Sequence, residues 1–134
     1  MKTPTNREAA ITYWREQARL ALDSARAELS AGRHHFAINR AYYAAFYAAS
    51  AVLLRRDRRY ARHATLRGAV HRVLVKGGLL ESELGRDYDQ LFESRQRVDY
   101  IELVTVDPEN AADLIHRAET LAFDRLLSQQ GESR

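Results

Sequence analysis

The sequence predicts an all-α protein, an up-and-down bundle of four long helices with one additional short helix. Apolar residues recur at helical spacing along most of the chain, and the only two prolines, Pro4 and Pro108, lie where a helix can begin. Residues 101–106 form the single strand-like stretch, and an isolated strand is not stable. We therefore expect those residues to be an extended linker and the fold to contain no sheet.

Five helices are expected from this spacing and from residues that start or stop helices. They cover about residues Asn6–Ser30, 35–57, 65–75, 82–98 and a fifth segment that begins at Pro108. Gly32 and the pair Gly77-Gly78 end the first and third helices, and Asp107 caps the fifth. The connections are mostly short, which favours antiparallel neighbours.

The second helix is expected at the centre of the bundle. Alanine occupies seven of its positions, namely residues 37, 41, 44, 45, 48, 49 and 51. Side chains this small let neighbouring helices approach closely, while Tyr43, Tyr47 and Leu54 fill the remaining volume.

The composition is that of one soluble domain spanning residues 1–134, with a frayed tail from about residue 128. Hydrophobic residues make up 46% and charged residues 29%, and the formal charge of +3 suits an acidic partner without requiring one. The absence of cysteine excludes disulfides and thiolate chemistry. The longest uncharged run, residues 41–54, is too short to cross a membrane, and no leader precedes the first helix. We expect a cytoplasmic protein with no membrane partner.

No metal or cofactor is expected. His34 and His35 point about 100° apart on a helix, and His63 and His71 lie about 12 Å apart along one, so neither pair can share a metal ion unaided. Among the histidines, we keep only His63, just before the third helix, as a functional candidate.

A basic stretch follows the second helix. Residues 55–62 contain five arginines and one acid. Arg59 and Arg62, together with a tyrosine able to stack on a base, form a candidate RNA-contacting edge. The alternative is a solvated turn at a helix C-terminus, where basic residues complement the helix dipole. The sequence favours this alternative slightly.

Arg95 stands where the fourth helix should present a hydrophobic residue. Leu84, Tyr88 and Leu91 define an apolar stripe at helical spacing, and Arg95 continues it. A guanidinium at the edge of an apolar face needs a carboxylate or a phosphate. An ion pair with Asp99 and a phosphate contact explain the residue equally well.

Arg40 poses the same question on the second helix. It aligns with Phe36, Tyr43 and Tyr47 at helical spacing. For Arg40 the sequence favours an internal ion pair, and a ligand contact is the alternative.

Two segments resemble one protein family. Residues 32–49, GRHHFAINRAYYAAFYAA, resemble the second helix of the HEPN domain, and residues 91–100, LFESRQRVDY, resemble the segment with that family's arginine motif. His63 before the third helix and the Gly77-Gly78-Leu79 break fit the small stand-alone members. The resemblance covers nearly the whole chain.

The resemblance implies a helical bundle that forms homodimers and works with a small nucleotidyltransferase. In many members the domain is the toxin of a toxin and antitoxin pair and acts as a metal-independent ribonuclease. Active members carry an arginine followed, after four to six residues, by a histidine, and the dimer brings two copies to one cleft. The arginine would stabilise the phosphate charge, and the histidine would transfer protons.

Arg95 matches the motif arginine, but Tyr100 stands in the place of the histidine. A phenol, with an ordinary pKa of about 10, is a weak proton-transfer group at neutral pH. We therefore predict a homodimeric module that binds RNA or a nucleotide and acts with a nucleotidyltransferase partner in a toxin and antitoxin system. The predicted binding residues are Arg95, Arg97, Arg40, Tyr43, Arg59 and Arg62.

Two alternatives remain open. The first is an active ribonuclease, in which Arg95 anchors the scissile phosphate and either Tyr100 or His63 transfers the proton. The second is a purely structural interaction domain with Arg95 held in an ion pair. Resemblance to paired systems also suggests that Tyr100 accepts a nucleotidyl group from the partner enzyme.

Overall fold

The computed structural model describes residues 5–128, which contain helices and no strand. The five α-helices are α1 Asn6–Ser30, α2 His34–Arg55, α3 His63–Ala69, α4 Ser82–Tyr100 and α5 Pro108–Glu119. Two of them continue as π-helical segments, α3 through Val70–Val75 and α5 through Thr120–Leu127. The all-α prediction is confirmed: α1, α2, α4 and α5 are the long helices of the bundle, and α3 is the short one.

α2 is the central helix, as its alanine content predicts. It contacts each of the other four helices, and 13 of its 22 residues are buried. All seven alanines named above are among them. Burial of a central helix of small residues brings the flanking helices close to its axis, so side chains from α1, α3 and α4 meet around its larger residues.

Both ends of α1 follow local chemistry. Thr5 accepts a hydrogen bond from the Glu8 backbone N–H at 3.0 Å, and the Glu8 carboxylate accepts one from the Thr5 N–H at 2.9 Å, which forms a capping box. At the other end Gly32 adopts a φ of +81°, a conformation that favours glycine. The three residues between α1 and α2 leave room only for an antiparallel return.

α2 ends two residues earlier than predicted, at Arg55. Asp57 adopts a φ of +61°, and the backbone N–H of Arg58 returns to the Leu53 carbonyl at 2.9 Å, which closes the helix. Arg7 of α1 fixes this turn through an ion pair with Asp57 at 2.8 Å. The basic stretch is therefore a loop between α2 and α3.

α4 extends to Tyr100, two residues beyond the prediction, and α3 begins at His63, two residues before it. Residues 101–107 contain no helix or strand, which confirms a linker, although residues 101–103 form a turn rather than an extended segment. His35 attaches the linker to α2, with its Nε2 2.7 Å from the Val104 carbonyl oxygen.

Of the predicted frayed tail, only Ser128 lies within the described residues. Its hydroxyl donates to the Asp124 carbonyl oxygen at 2.7 Å, so it still belongs to the last helical turn. Within residues 5–128, no helix is both long enough and apolar enough to cross a membrane.

Candidate functional site

Arg95 lies on the buried face of α4, as the spacing predicts. Tyr88 and Leu91 of the same stripe are fully buried, and the Arg95 side chain is 12% exposed. Its Nη2 donates to the hydroxyls of Tyr43 and Tyr100 at 3.2 and 3.4 Å. The guanidinium carbon also lies 5.5 Å from the ring centres of both tyrosines. The arginine is thus held between aromatic rings of α2 and α4.

The ion pair between Arg95 and Asp99 exists, but it is incomplete. Arg95 Nε lies 2.9 Å from Asp99 Oδ2, yet its N–H does not point at that oxygen, and this buried nitrogen has no hydrogen-bond acceptor within residues 5–128. Nη1 makes no hydrogen bond to a described residue either. A guanidinium has five N–H groups, so three of them are unused by that part of the chain.

Asp99 is positioned from α2. Asn39 Nδ2 donates to both carboxylate oxygens of Asp99, at 3.0 and 3.3 Å, and the Asn39 amide oxygen accepts from Arg40 Nε at 3.2 Å. The ion pair expected for Arg40 is wrong for the described residues. Its guanidinium lies 4.9 Å from the centre of the Tyr43 ring instead, because no carboxylate of that region comes within reach.

His63 lies on the other side of the same tyrosines. Its Nδ1 is 2.7 Å from the Tyr42 hydroxyl, and its ring stacks on Phe46 with ring centres 4.4 Å apart. Burial, together with the positive charge of Arg95, lowers the pKa of His63 below its ordinary value. Burial raises the pKa of Tyr42 to about 12. At physiological pH the pair is therefore a neutral imidazole and a neutral phenol. The contact with Tyr42 uses Nδ1 of His63 and not its second ring nitrogen, Nε2.

The other predicted binding arginines lie in two separate regions, Arg59 and Arg62 near the start of α3 and Arg97 on α4. Arg59 lines a cleft together with His63, and Arg62 is exposed at the residue before α3. α4 turns Arg97 away from Arg95, so that it lines shallow depressions beside Ser94 and contacts none of the tyrosines. Arg97 is thus exposed on a different face from the cluster of Arg95, Tyr43, Tyr100 and His63.

Sequence reasoning missed Tyr42 and Asn39. Tyr42 is fully buried and connects His63 to the tyrosine cluster, and Asn39 orients Asp99. Both precede residues that the sequence did indicate, Tyr43 and Arg40. Their roles depend on which helices pack against α2, and spacing within one helix does not contain that information.

The arrangement suits an anion. Arg40 and Arg95 both lie against Tyr43, and Asp99 contacts only one of them, Arg95. The planar guanidinium of Arg95 can donate its unused N–H groups to two oxygens of one phosphate. Residues 5–128 contain no group of three or more histidine, aspartate or glutamate side chains placed to bind a metal ion.

Comparison with known proteins agrees with these features. Residues 11–122 match the HEPN domain. A UPF0332 protein of Thermotoga maritima is 43% identical over 113 residues, which are 84% of this chain and 86% of that relative. A protein of Methanocaldococcus jannaschii whose name marks it as a suspected toxin is 26% identical over 102 residues, 76% of this chain and 69% of the relative. The chain therefore belongs to the HEPN domain family.

Proposed function

We propose that this protein is a homodimeric toxin-system module of the cytoplasm that binds RNA or a nucleotide through Arg95. The observation that carries the proposal is the state of the Arg95 guanidinium. Only its Nη2 donates hydrogen bonds within the described residues, and both go to phenols at long distances. A buried cation with unused donors gains when a phosphate supplies the missing acceptors.

The charges around Tyr43 add to this attraction. Arg40 and Arg95 both lie against its ring, while Asp99 is the one carboxylate of residues 5–128 that contacts Arg95. The side-chain amide of Asn39 donates hydrogen bonds to both carboxylate oxygens of Asp99, and these hydrogen bonds disperse the carboxylate charge. The local field is therefore positive, as an anionic ligand requires.

The toxin-like role is supported by the family and by the name of the archaeal relative. A nucleotidyltransferase partner follows from the family's paired systems, and Tyr100 is the side chain that suits it. Tyr100 is 70% exposed, and its hydroxyl accepts from Arg95. In the transfer the phenol oxygen loses its proton and attacks the α-phosphorus of the nucleoside triphosphate, the α–β phosphoanhydride bond breaks, and pyrophosphate leaves. The nucleotidyl group on this oxygen would occupy the site of the RNA phosphate. Mass spectrometry after incubation with partner and nucleoside triphosphate should find the group on the Tyr100 peptide but not in Tyr100→Phe.

The dimer is proposed to use the exposed apolar side chains that follow Tyr100 in the chain. Leu103 is 99% exposed at a φ of +59°, and Ile101 is more than half exposed. Leu103→Asn removes the apolar side chain and suits the positive φ, so it should shift the mass in solution at micromolar concentration from dimer to monomer. Leu20→Asn, on α1, is the matched control and should remain a dimer. A monomeric wild-type protein would contradict this part of the proposal.

RNA binding is tested by fluorescence anisotropy with a labelled single-stranded RNA in EDTA. Arg95→Ala should weaken binding by about tenfold to a hundredfold, the equivalent of one or two charge-assisted hydrogen bonds. Arg97→Ala is the matched control, since it removes the same charge from the same helix on another face, and it should weaken binding less than about threefold. Equal losses in the two variants would mean that Arg95 contributes only general charge.

Ribonuclease activity is the second candidate function. The observation that favours it is that His63 and Arg95 contact the same pair of tyrosines, His63 through the Tyr42 hydroxyl and Arg95 through the Tyr43 hydroxyl. A neutral histidine beside a phosphate-binding arginine is suited to general base catalysis. Cleavage in EDTA that is lost in both His63→Gln and Arg95→Ala would establish it, whereas binding without cleavage supports the first proposal.

A further inference from the structure

A cleft lies beside the Arg95 cluster and shares two of its side chains, Tyr43 and His63. It has a volume of about 380 Å³. Its walls come from α1, α2, the loop before α3 and α3 itself, and besides the two shared residues they include Trp14, Phe46, Tyr47, Ser50, Leu53, Leu54, Arg58, Arg59, Tyr60, Ala61 and Leu66. Sites for small organic ligands start at about 300 Å³, so the cleft can accept one.

The lining is dominated by aromatic rings. Trp14 and Tyr47 are stacked on each other with ring centres 5.4 Å apart and planes inclined by 23°, so a guest ring can extend this stack only at an outer face of the pair. Tyr60 of the loop lines the same cleft, and its hydroxyl accepts from Arg72 at 3.4 Å. Flat aromatic surfaces favour a flat aromatic guest over a branched aliphatic one, because stacking buries a whole ring face at once.

The charged side chains that line the cleft are all positive. Arg58 and Arg59 line it, and no carboxylate does. Asp57, the one acid of the basic stretch, is held by Arg7, while Arg58 and Arg59 form no ion pair within residues 5–128. A purely apolar guest would leave these two cations without partners, whereas a guest that joins an aromatic ring to an anion would use both features.

We propose that this cleft is a nucleobase-binding subsite, in which an unpaired base of the ligand stacks against Trp14, Tyr47 and Tyr60 while its phosphate is held by Arg95. The inference rests on the proposed function and specifies its substrate. A base in a duplex is stacked and paired, so the cleft selects single-stranded RNA or a free nucleotide over double-stranded RNA. Arg58 and Arg59 contact the adjoining phosphate.

Trp14 is the only tryptophan of the chain, so its fluorescence reports on the cleft. We would titrate the wild-type protein with a short single-stranded RNA, with an abasic ribose-phosphate oligomer of the same length and with adenosine monophosphate. Free tryptophan titrated in parallel corrects for absorption by the ligands. The RNA should change the Trp14 emission at saturation and should bind about tenfold more tightly than the abasic oligomer, which should leave the emission unchanged.

The matched variants are Tyr60→Ala and Tyr60→Phe, in a loop outside the helices. Tyr60→Ala removes a stacking ring and should weaken RNA binding by about tenfold without affecting the abasic oligomer. Tyr60→Phe keeps the ring and loses only the contact with Arg72, so it should bind within about twofold of wild type. A loss in Tyr60→Phe as large as that in Tyr60→Ala would show that binding depends on the hydroxyl and not on stacking, which would overturn the inference.

The other outcomes separate this inference from the proposed function. If adenosine monophosphate changes the Trp14 emission as strongly as RNA, the ligand is a free nucleotide; if only RNA does so, it is a strand; both results support the subsite. If RNA and the abasic oligomer bind equally, without a change in Trp14 and still dependent on Arg95, the phosphate site stands and the base subsite is wrong. If no oligomer or nucleotide binds, both proposals fail.

Discussion

Arg95 and Arg117 are both arginines that bridge helices of this bundle, but only one of them is satisfied by its neighbours. Arg117 of α5 donates to Asp113 through Nε and to Asp87 of α4 through Nη1, each at 2.7 Å, and its side chain is 38% exposed. Arg95 is buried more deeply, and it has one carboxylate that its Nε does not point at and two long contacts to phenols. The more costly position has the poorer set of partners.

This difference separates structural charges from functional ones. A buried guanidinium retained for stability would be expected to meet two aligned carboxylates, as Arg117 does at lower cost. Arg67 follows the structural pattern too, with Asp89 at 2.8 Å and Glu93 at 3.1 Å. At Arg95 the described residues leave a buried cation with unused hydrogen-bond donors. A site for an external anion offers this arrangement to its ligand.

The largest expected effect is on stability. Arg117→Met removes both short ion pairs and should lower the free energy of unfolding by about 1–2 kcal/mol, a value that allows for solvent screening at this half-exposed site. Arg95→Met replaces an incompletely bonded cation by an apolar side chain of similar length, so it should change the free energy of unfolding by less than about 0.5 kcal/mol or raise it. Urea denaturation followed by circular dichroism measures both. An equal loss in the two variants would favour the structural domain.

The next effect is on ligand affinity. Asp99→Asn removes the negative charge next to Arg95 and keeps a side chain that can hydrogen-bond to Asn39. RNA affinity should rise by about twofold to fivefold at low salt, and the gain should shrink as salt is added. Asp87→Asn, the corresponding change at Arg117, is the control and should leave RNA affinity unchanged. A fall in affinity in Asp99→Asn would show that the carboxylate is needed to position Arg95.

The smallest effect is on the titration of His63. Its pKa should lie below 6.5, and Arg95→Met should raise it because a nearby positive charge is lost. Arg117→Met should not change it. Histidine proton resonances followed by NMR across pH 4.5–8.5, about two units either side of the ordinary pKa, give these values.

The lowered pKa of His63 also predicts how the stability of the protein changes with pH. Since the folded protein releases the His63 proton more readily than the unfolded chain, the unfolded chain binds more protons below pH 6.5. The His63 contribution to stability therefore rises with pH through that window and is lost on acidification. His63→Gln should flatten this part of the profile, and an unchanged slope would place the effect on other groups.

Patterns within one helix predicted most of the fold. The stop at Gly32, the cap at Asp107 and the alanine spacing of α2 are local signals, and the structure follows them. The end of α2 was missed because Asp57, rather than a glycine, adopts the left-handed conformation that closes the helix. The sequence therefore contains no glycine stop signal at that position.

The candidate site was predicted in the same way, in part. The stripe through Leu91 identified Arg95 as a misplaced charge, and the resemblance connected it with Tyr100. Whether Arg95 forms an ion pair or binds a ligand depends on the direction of its N–H groups relative to Asp99, and the sequence left these alternatives equal. The contact of Arg40 with Tyr43 rather than with an acid, and the position of Trp14 beside His63, both depend on how helices pack against α2.

The central claim is that the unused N–H groups of Arg95 receive a phosphate. NMR of the arginine side chains in ¹⁵N-labelled protein tests it directly, with Arg95 Nε–H assigned from Arg95→Met and a short single-stranded RNA added in EDTA. The Arg95 Nε–H resonance should move as the RNA binds, because a phosphate bound at the guanidinium changes the electronic environment of the whole group, while that of Arg117, already bonded to Asp113, should stay in place. An Arg95 resonance that remains unchanged at saturating RNA, or a shift of equal size at Arg117, would contradict the claim.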